Sequence, residues 1–354
     1  MKQILRLFVA VGLLLGTSGC GEPGYYLQSI RGHLDVMAQR RSIPKVLADP
    51  QTAPALRQRL ETVQDIRRFS TAELFLPDND SFSTYADVGR DAVVWSVIAA
   101  PEDSLSPLTW CFPFAGCVPY RGYFHADAAE AYARRLRDDG YDVHVADVPA
   151  YSTLGWFSDP VLNTFINLPD WALAEVIVHE LAHQVVYIKD DADFNEAFAQ
   201  TVMLEGGRRW LATHGDEDQR TWAATVRNRQ DAFLALVRRT RVALSECYGC
   251  ETTREAKLAC KVSTFADMHR TYAGLKTEWG GYSGYDDWMN QDLNNARFVS
   301  ESTYYRLLPA FTVLLQQKNG DMKQFYLAVQ ALADCPAEER DVLLAELLSQ
   351  VREN

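Results

Sequence analysis

Apolar side chains recur every three or four residues through most of the chain, which is the spacing of one face of an α-helix. In the N-terminal region one such helix is predicted to start at Pro54, because proline suits the first helical turn. Towards the C-terminus, Gly320 and Pro336 are placed to end one helix and to begin the next. The predicted C-terminal helices are 221–246, 263–277, 302–318, 321–333 and 337–351.

A second pattern, typical of β-strands, precedes the helical half of the chain. Residues 93–98 are rich in β-branched side chains, and residues 141–148 alternate between polar and apolar positions. A capped helix is predicted between these two strands. We therefore predict an α+β fold that is predominantly helical, with the sheet at about 85–170 and the helical part at about 171–354.

The N-terminus has the pattern of a secretory signal rather than of a folded element. Two basic residues precede an apolar core that is too short to span a bilayer. The segment Thr17-Ser18-Gly19-Cys20 is similar to a bacterial lipobox, although Thr17 stands where leucine is commonest. We predict a signal peptide at 1–19, a lipid anchor on Cys20 and a single domain at 20–354. Ordinary cleavage nearby, giving a soluble periplasmic protein, is the alternative.

The bulk properties limit the kinds of partner. The chain has 354 residues, 47% of them hydrophobic and 23% charged, which is an ordinary globular composition. Its net charge of −12 disfavours nucleic acid and anionic headgroups as partners. No later segment is long and apolar enough to be transmembrane. Membrane contact is therefore predicted only through the N-terminal lipid, in the cell envelope on the periplasmic side.

Seven cysteines fit an oxidising compartment, because removal of Cys20 leaves an even number. Cys111 and Cys117 flank a short turn rich in proline and glycine, and they are predicted to form a disulfide. A redox or zinc motif at Cys247-x-x-Cys250 is disfavoured, because no second motif of that kind follows. The sequence gives no pairing for Cys247, Cys250, Cys260 and Cys335.

The strongest chemical motif is His179-Glu180-Leu181-Ala182-His183, within an apolar run at 173–186 that is predicted to be a buried helix. Histidines four residues apart share one helix face. Two neutral imidazoles can therefore bind one Zn²⁺, while Glu180 faces the same cleft and handles the proton of a bound water. This is the zinc-peptidase signature. The alternative is a helix whose two histidines are satisfied by hydrogen bonds.

Elimination points to Glu196 as the third ligand. A metzincin would need a histidine where Lys189 stands, and thermolysin-like spacing would need a glutamate at 202–203. A polar break would turn the chain, so that Glu196 lies in the first turn of a second helix and points at the metal. Alternatively, Asp193-x-x-Glu196 is a capping box. The other acidic candidates, placed less well, are Asp190, Asp191 and Glu205.

Two further stretches are predicted to flank the cleft. Residues 110–124, dense in aromatic residues, glycine and proline, are interpreted as a packed loop or as a wall of the substrate cleft. Residues 151–157 are predicted to be an edge strand that pairs with substrate backbone, with Gly155 permitting close approach. The candidates for stabilising the oxyanion are Tyr151, Tyr187, Tyr304 and Tyr305.

Several motifs together make the chain resemble the bacterial putative aminopeptidase family over essentially the whole mature sequence. They are the lipobox-like start, 110–113, 120–124, 149–157, 179–183 and 195–199. The resemblance implies a zincin-like fold and zinc-dependent hydrolysis of peptides. It also implies that His179, His183 and Glu196 are ligands and that Glu180 is the catalytic base. The Gly-x-Met-x-Asn motif of large gluzincin aminopeptidases is absent, which leaves exopeptidase and endopeptidase activity both open.

Two other functions stay open at this level. One is a non-catalytic envelope lipoprotein that binds peptides or a protein partner and keeps zinc for structure. The other is metal-dependent hydrolysis of a different amide, such as a cell-wall crosslink. An intact Glu180 favours the enzyme, because a purely structural zinc site has no need of a proton acceptor.

Overall fold

The computed structural model describes residues 23–112, 116–151, 153, 156–249, 253–299 and 306–350. The predictions for the signal peptide and for residues Cys20, Gly155, Cys250, Tyr304 and Tyr305 lie outside these residues. The expectation of a mostly helical α+β fold is confirmed.

Three helices open the described chain: α1 (Pro23–Ala38), α2 (Ile43–Ala48) and α3 (Pro54–Ala72). Helix α3 starts at the predicted proline, and its apolar stripe of Leu60, Val63 and Ile66 is buried. That stripe packs into the largest hydrophobic core, which also holds residues from the C-terminal helices. The N-terminal region is therefore tied to the helical half of the molecule.

The strands form two three-stranded sheets and a hairpin. Strands β1 (Arg41–Ser42), β2 (Thr84–Ala86) and β8 (Val161–Leu162) make one small sheet in the order β1-β2-β8. The second sheet has the order β6-β3-β7, with the strands β3 (Val94–Pro101), β6 (Arg121–Tyr123) and β7 (Tyr141–Val148). The hairpin pairs β4 (Trp110–Phe112) with β5 (Gly116–Val118).

The second sheet has one covered face and one face that borders a cavity. Its central strand β3 is antiparallel to both neighbours, and Val94 opposes Val148 at one end of the pairing with β7. Helix α4 (Ala126–Asp138) packs Ala129 and Ala133 against Val97 of the covered face. Ser96, Ile98 and Ala146, on the other face, line the cavity. The cavity separates this sheet from the histidine-bearing helix, whereas strands β2 and β8 of the small sheet pack into the same hydrophobic core as that helix.

The helical half starts with α5 (Asp170–Ala182) and α6 (Ala192–His214), which pack closely side by side. Two glycines of α6 make this possible. A Cβ at Gly206 would lie 2.9 Å from Val178, and one at Gly207 would lie 2.5 Å from Cγ of Glu175. Because the late part of α6 meets the early part of α5, the helices are antiparallel and the start of α6 lies beside the end of α5.

The remaining helices largely follow the predicted stretches. They are α7 (Glu217–Gly249), α8 (Arg254–Glu278), α9 (Asp286–Asn290), α10 (Leu308–Gln317), α11 (Met322–Asp334) and α12 (Ala337–Gln350). The predicted helix at 302–318 starts later than expected, since residues 306–307 form a bend. Helices α7, α8 and α9 enclose a second core. Among the described residues, no helix combines the length and the apolarity needed to cross a bilayer.

The described residues form two disulfides. Cys111–Cys117 closes the β4–β5 hairpin, as predicted. Cys247 bonds to Cys260 and so joins α7 to α8, which excludes an intact dithiol motif between Cys247 and Cys250. Cys335 is a free thiol.

Candidate metal centre

His179 and His183 lie one turn apart at the end of α5, and their Nε2 atoms are 3.2 Å from each other. The helix ends at Ala182 instead of continuing to 186, and His183 is the residue that caps it. Both imidazoles are almost withdrawn from solvent. Their two nitrogens therefore point at the same small volume.

Glu196 approaches that volume from α6. Its Oε2 lies 3.4 Å from Nε2 of His179, and its Oε1 lies 3.8 Å from Nε2 of His183. The candidate ligand atoms of the three residues all lie within 4.8 Å of one another. Because α6 starts at Ala192, Glu196 lies in the second turn of the helix rather than in the first.

The capping-box interpretation of Glu196 is wrong. Asp191 is the N-cap of α6, and its side chain accepts a hydrogen bond from the backbone N–H of Phe194 at 3.1 Å. Asp193 lies inside the helix and pairs with Arg306. The carboxylate of Glu196 is therefore directed to the two histidines and not to backbone donors.

Asn195 fixes the turn between the two helices. Its side-chain amide donates to the carbonyl of Ile188 at 2.7 Å, and its carbonyl accepts from the N–H of the same residue at 2.8 Å. Asn195 is buried. This pair of bonds sets the path of the chain immediately before Glu196, so the asparagine positions the carboxylate without contacting the histidines.

The other acidic candidates have different partners. Asp190 accepts from the backbone N–H of Cys117 at 2.5 Å and so pins the disulfide hairpin to the α5–α6 turn. Glu205 forms ion pairs with Arg208 and Arg209 on the surface of α6. Asp191 caps α6 and accepts from Arg340 at 2.9 Å. Among the described residues, these acids lie outside the group that could hold a metal.

The donor set suits a zinc ion. Metal–ligand distances of about 2.0–2.1 Å in a tetrahedral site place the ligand atoms about 3.3 Å apart, close to the separations seen here. Two imidazoles and a carboxylate are the three protein ligands of a catalytic zinc site rather than a closed structural one. The Nδ1 atoms of both histidines have no partner among the described residues, although such nitrogens usually donate to an outer acceptor.

The electrostatics of the three side chains are coupled. Burial lowers the pKa of His183 to about 4, so this imidazole is neutral and free to coordinate. Burial acts in the same sense on His179, yet the hydrogen bond and charge of Glu196 raise the pKa of His179 overall. Burial favours protonation of Glu196, but the two histidines hold the pKa of its carboxyl below the usual range. The carboxylate is therefore ionised.

Glu180 borders the same cavity from the same helix. Burial raises the pKa of Glu180 to about 7; His179 opposes this shift, while Glu196 and Asp159 add to it. A carboxyl group with such a pKa can both accept and release a proton near neutral pH. This is the property that the sequence interpretation requires of Glu180.

The cavity in front of these residues has a volume of about 510 Å³. The metal-binding candidates and Glu180 form one side, and the free sheet face and α1 form the other. Residues of the predicted aromatic block at 110–124 line one wall. The aromatic lining residues are Tyr25, Phe112, Tyr120, Phe124, Tyr151 and Tyr187.

Tyr120 is a candidate that the sequence interpretation missed. Burial first, and then the charges of Glu196 and Glu180, raise the pKa of Tyr120, so its hydroxyl stays protonated. Of the tyrosines predicted to stabilise an oxyanion, Tyr187 lines the cavity and Tyr151 hydrogen-bonds to Nδ1 of His33 at 2.9 Å. Tyr120 lies in the aromatic block at 110–124, which was predicted to border the cleft. The sequence of that block does not indicate which of its aromatic residues would face the candidate metal ligands.

The predicted edge strand at 151–157 is wrong for its described residues. Thr153 forms a turn in which its carbonyl accepts from the N–H of Trp156 at 3.0 Å. Its own N–H and hydroxyl donate to the buried carboxylate of Asp159 at 2.9 and 2.8 Å. These local bonds use the backbone N–H and carbonyl of Thr153, which an edge strand would instead keep available for pairing with a substrate.

Strand β6 is the outer strand of the sheet at the cavity, and a side chain of α1 covers its edge. Nε2 of Gln28 donates to the carbonyl of Gly122 at 3.4 Å, and Oε1 of Gln28 accepts from the N–H of Phe124 at 3.2 Å. The glutamine amide thus makes the two bonds that a neighbouring strand would make. Gly32 packs directly on Phe124 and keeps α1 close to this edge.

The fold and the site define a mostly helical α+β protein with a histidine–histidine–glutamate group at one side of a cavity. The chain belongs to the family described as "Putative aminopeptidase", whose model matches residues 24–344. That description suggests peptidase activity. No curated protein and no solved structure matches the chain.

Proposed function

We propose that this protein is a zinc-dependent peptidase, an aminopeptidase by family, of zincin type and located in the bacterial cell envelope. The observation that carries the proposal is the convergence of His179, His183 and Glu196 beside Glu180 in one cavity. Three protein donors leave room for a water at a tetrahedral ion, as hydrolysis requires. No observation favours the non-catalytic alternative.

The mechanism divides the work between the ligands and Glu180. Zinc, when bound, supplies Lewis acidity, which lowers the pKa of a water and polarises the scissile carbonyl. Glu180 accepts a proton from the attacking water and later delivers it to the leaving amine as the C–N bond breaks. Its pKa of about 7 suits both transfers. Burial excludes bulk water that would compete for that proton.

Tyr120 supplies the hydroxyl that the tetrahedral oxyanion needs. It lines the cavity and its raised pKa keeps it a donor at neutral pH. Tyr187 is the second candidate, since its pKa is also raised, by burial and then by Glu196.

The substrate is a short peptide. A volume of about 510 Å³ lies within the range of about 300–1,000 Å³ that is usual for small-ligand sites. Aromatic lining suits apolar side chains of a peptide. Among the described residues that line the cavity, the carboxylates are Glu180 and Glu196. A positively charged α-amine of the substrate would therefore have to bind close to these two residues, where the peptide bond is hydrolysed.

The proposed envelope location rests on one prediction from the sequence and on one feature of the structure. A signal peptide at 1–19 and a lipid on Cys20 would place the chain outside the cytoplasm, attached to a membrane face. Two disulfides fit an oxidising compartment. Mass spectrometry of the protein isolated from its host, searching for a diacylglyceryl-modified Cys20, tests the anchor separately from the activity.

The decisive experiment compares wild type with Glu180→Gln. Both proteins are assayed for bound zinc and for hydrolysis of fluorogenic peptides with free and with blocked amino termini. We expect equal zinc content and a loss of hydrolysis of about 10³-fold or more in the variant. A zinc-loaded wild type that hydrolyses none of a broad peptide library would contradict the proposal. Cleavage restricted to free amino termini identifies an exopeptidase.

A further inference from the structure

Helix α1 has two apolar faces, and within the described part of the chain only the inner face packs against other elements. Its inner face places Tyr25 and His33 at the cavity and buries Val36. Its outer face carries Leu27, Ile30 and Leu34, with exposures of 68%, 60% and 58%. These three residues have the spacing of one helical stripe. We call them the outer stripe of α1.

A second exposed apolar element lies beside the same helix. Trp156 and Phe157 are exposed, and the ring of Phe157 lies 4.7 Å from that of His33. The guanidinium of Arg40, just after α1, donates to the carbonyl of Ser158 at 3.0 Å and holds this loop in place. Exposed apolar groups that cluster in this way usually mark an interaction site.

The charge of this region differs from that of the rest of the chain. Residues 23–45 contain four basic side chains and one acidic side chain, whereas the whole chain has a net charge of −12. The four basic residues, all exposed, are Arg31, Arg40, Arg41 and Lys45. Helix α1 itself carries one basic and one acidic residue, Arg31 and Asp35, and the other basic residues follow it, with Arg41 paired to Asp49. An exposed apolar stripe with a tryptophan close to the same helix is a composition that suits a membrane interface.

The position of the helix in the chain points to the same partner. Cys20 precedes the first residue of α1 by three positions, a span of at most about 10 Å. A lipid on Cys20 would therefore hold α1 at the headgroups, where an exposed apolar stripe would be withdrawn from water. The acyl chains of such a lipid would attach the chain to the bilayer, and contact of the outer stripe with the same bilayer would fix how α1 lies on it.

We propose that the outer stripe of α1, together with Trp156 and Phe157, docks on a phospholipid bilayer. This inference rests in part on the envelope location proposed above but does not depend on peptidase activity. Since the inner face of α1 lines the cavity, docking fixes the orientation of the cavity relative to the membrane.

The test measures binding of the unlipidated chain from residue 21 onward to vesicles of phosphatidylethanolamine and phosphatidylglycerol. The variant carries Leu27→Ser, Ile30→Ser and Leu34→Ser. Each exposed side chain contributes about fivefold to the partition coefficient, so we expect a loss of about 100-fold in the triple variant. The matched control is Val262→Ser, Leu327→Ser and Val342→Ser, three equally exposed apolar residues elsewhere, which should bind as wild type does.

Three outcomes would overturn the proposal. The unlipidated wild type could fail to bind vesicles, or the control could lose as much binding as the stripe variant. The stripe variant could also convert a dimer into a monomer without changing vesicle binding, which would assign the stripe to self-association. Peptide hydrolysis in solution, measured on the same preparations, should be unchanged in the stripe variant. A failure of the proposed peptidase function is therefore distinguishable from a failure of docking.

Discussion

Asn195 offers a sharp test of how the fold positions Glu196. The change Asn195→Ala removes two hydrogen bonds, at 2.7 and 2.8 Å, that hold both backbone groups of Ile188. Loss of two such bonds costs about 2 kcal/mol, and the partial burial of the abandoned groups adds about 1 kcal/mol. We therefore expect about 3 kcal/mol lower stability and a zinc affinity reduced about 10–100-fold, since the turn also supports a ligand.

The assay is urea unfolding in the presence of a chelator, followed by zinc titration against a chromophoric competitor. Asn79→Ala is the matched control, because exposed Asn79 also makes two side-chain hydrogen bonds, to Gln184 at 2.7 Å next to His183 and from the N–H of Ser81 at 3.0 Å, but lies outside the turn between α5 and α6. We expect the control to lose less than about 1 kcal/mol and to keep its zinc affinity. Equal stability of Asn195→Ala and wild type would refute the inference that this asparagine holds the turn.

Three further predictions follow from buried charges and from the metal. Arg340→Met removes the guanidinium that holds Asp191 at 2.9 Å, and unfolding by urea should show a loss of about 2 kcal/mol. Glu175 has its pKa raised from 4.5 to about 7, first by burial, with Arg227 opposing the shift. The folded state thus holds its proton more tightly, so stability falls as pH rises from about 4.5 through about 7, by at most about 3 kcal/mol, and Glu175→Gln should flatten this slope. A chelator should lower the melting temperature of wild type, by an amount that grows with the zinc concentration it removes, and should leave that of Glu196→Ala almost unchanged.

Much of the fold and of the site could be predicted because the signals are local. Helical spacing predicts α3 and most of the C-terminal helices, and a tight turn rich in glycine and proline predicts the bond between Cys111 and Cys117. The nearness of His179 and His183 follows from helix geometry alone. That Glu196 lies near the two histidines could be predicted by elimination, because only a short polar turn separates it from α5 and few carboxylates were available.

The features that could not be predicted depend on contacts between distant residues. Nothing local to Gln28 indicates that its amide covers the edge of β6, almost a hundred positions later. The stretch around Thr153 has the composition of a strand, but its bonds to Asp159 stabilise a turn instead. Local propensity was overridden there by a buried carboxylate that the pattern does not reveal.

Zinc stoichiometry and affinity in Glu196→Ala, measured beside wild type and Glu205→Ala, test the central claim most directly. Glu205 lies on the same helix but is engaged by Arg208 and Arg209, so it controls for the loss of an acidic side chain. We predict about one zinc ion per chain in wild type and in Glu205→Ala, and a greatly weakened site in Glu196→Ala. A Glu196→Ala protein that keeps one zinc ion with unchanged affinity would contradict the account.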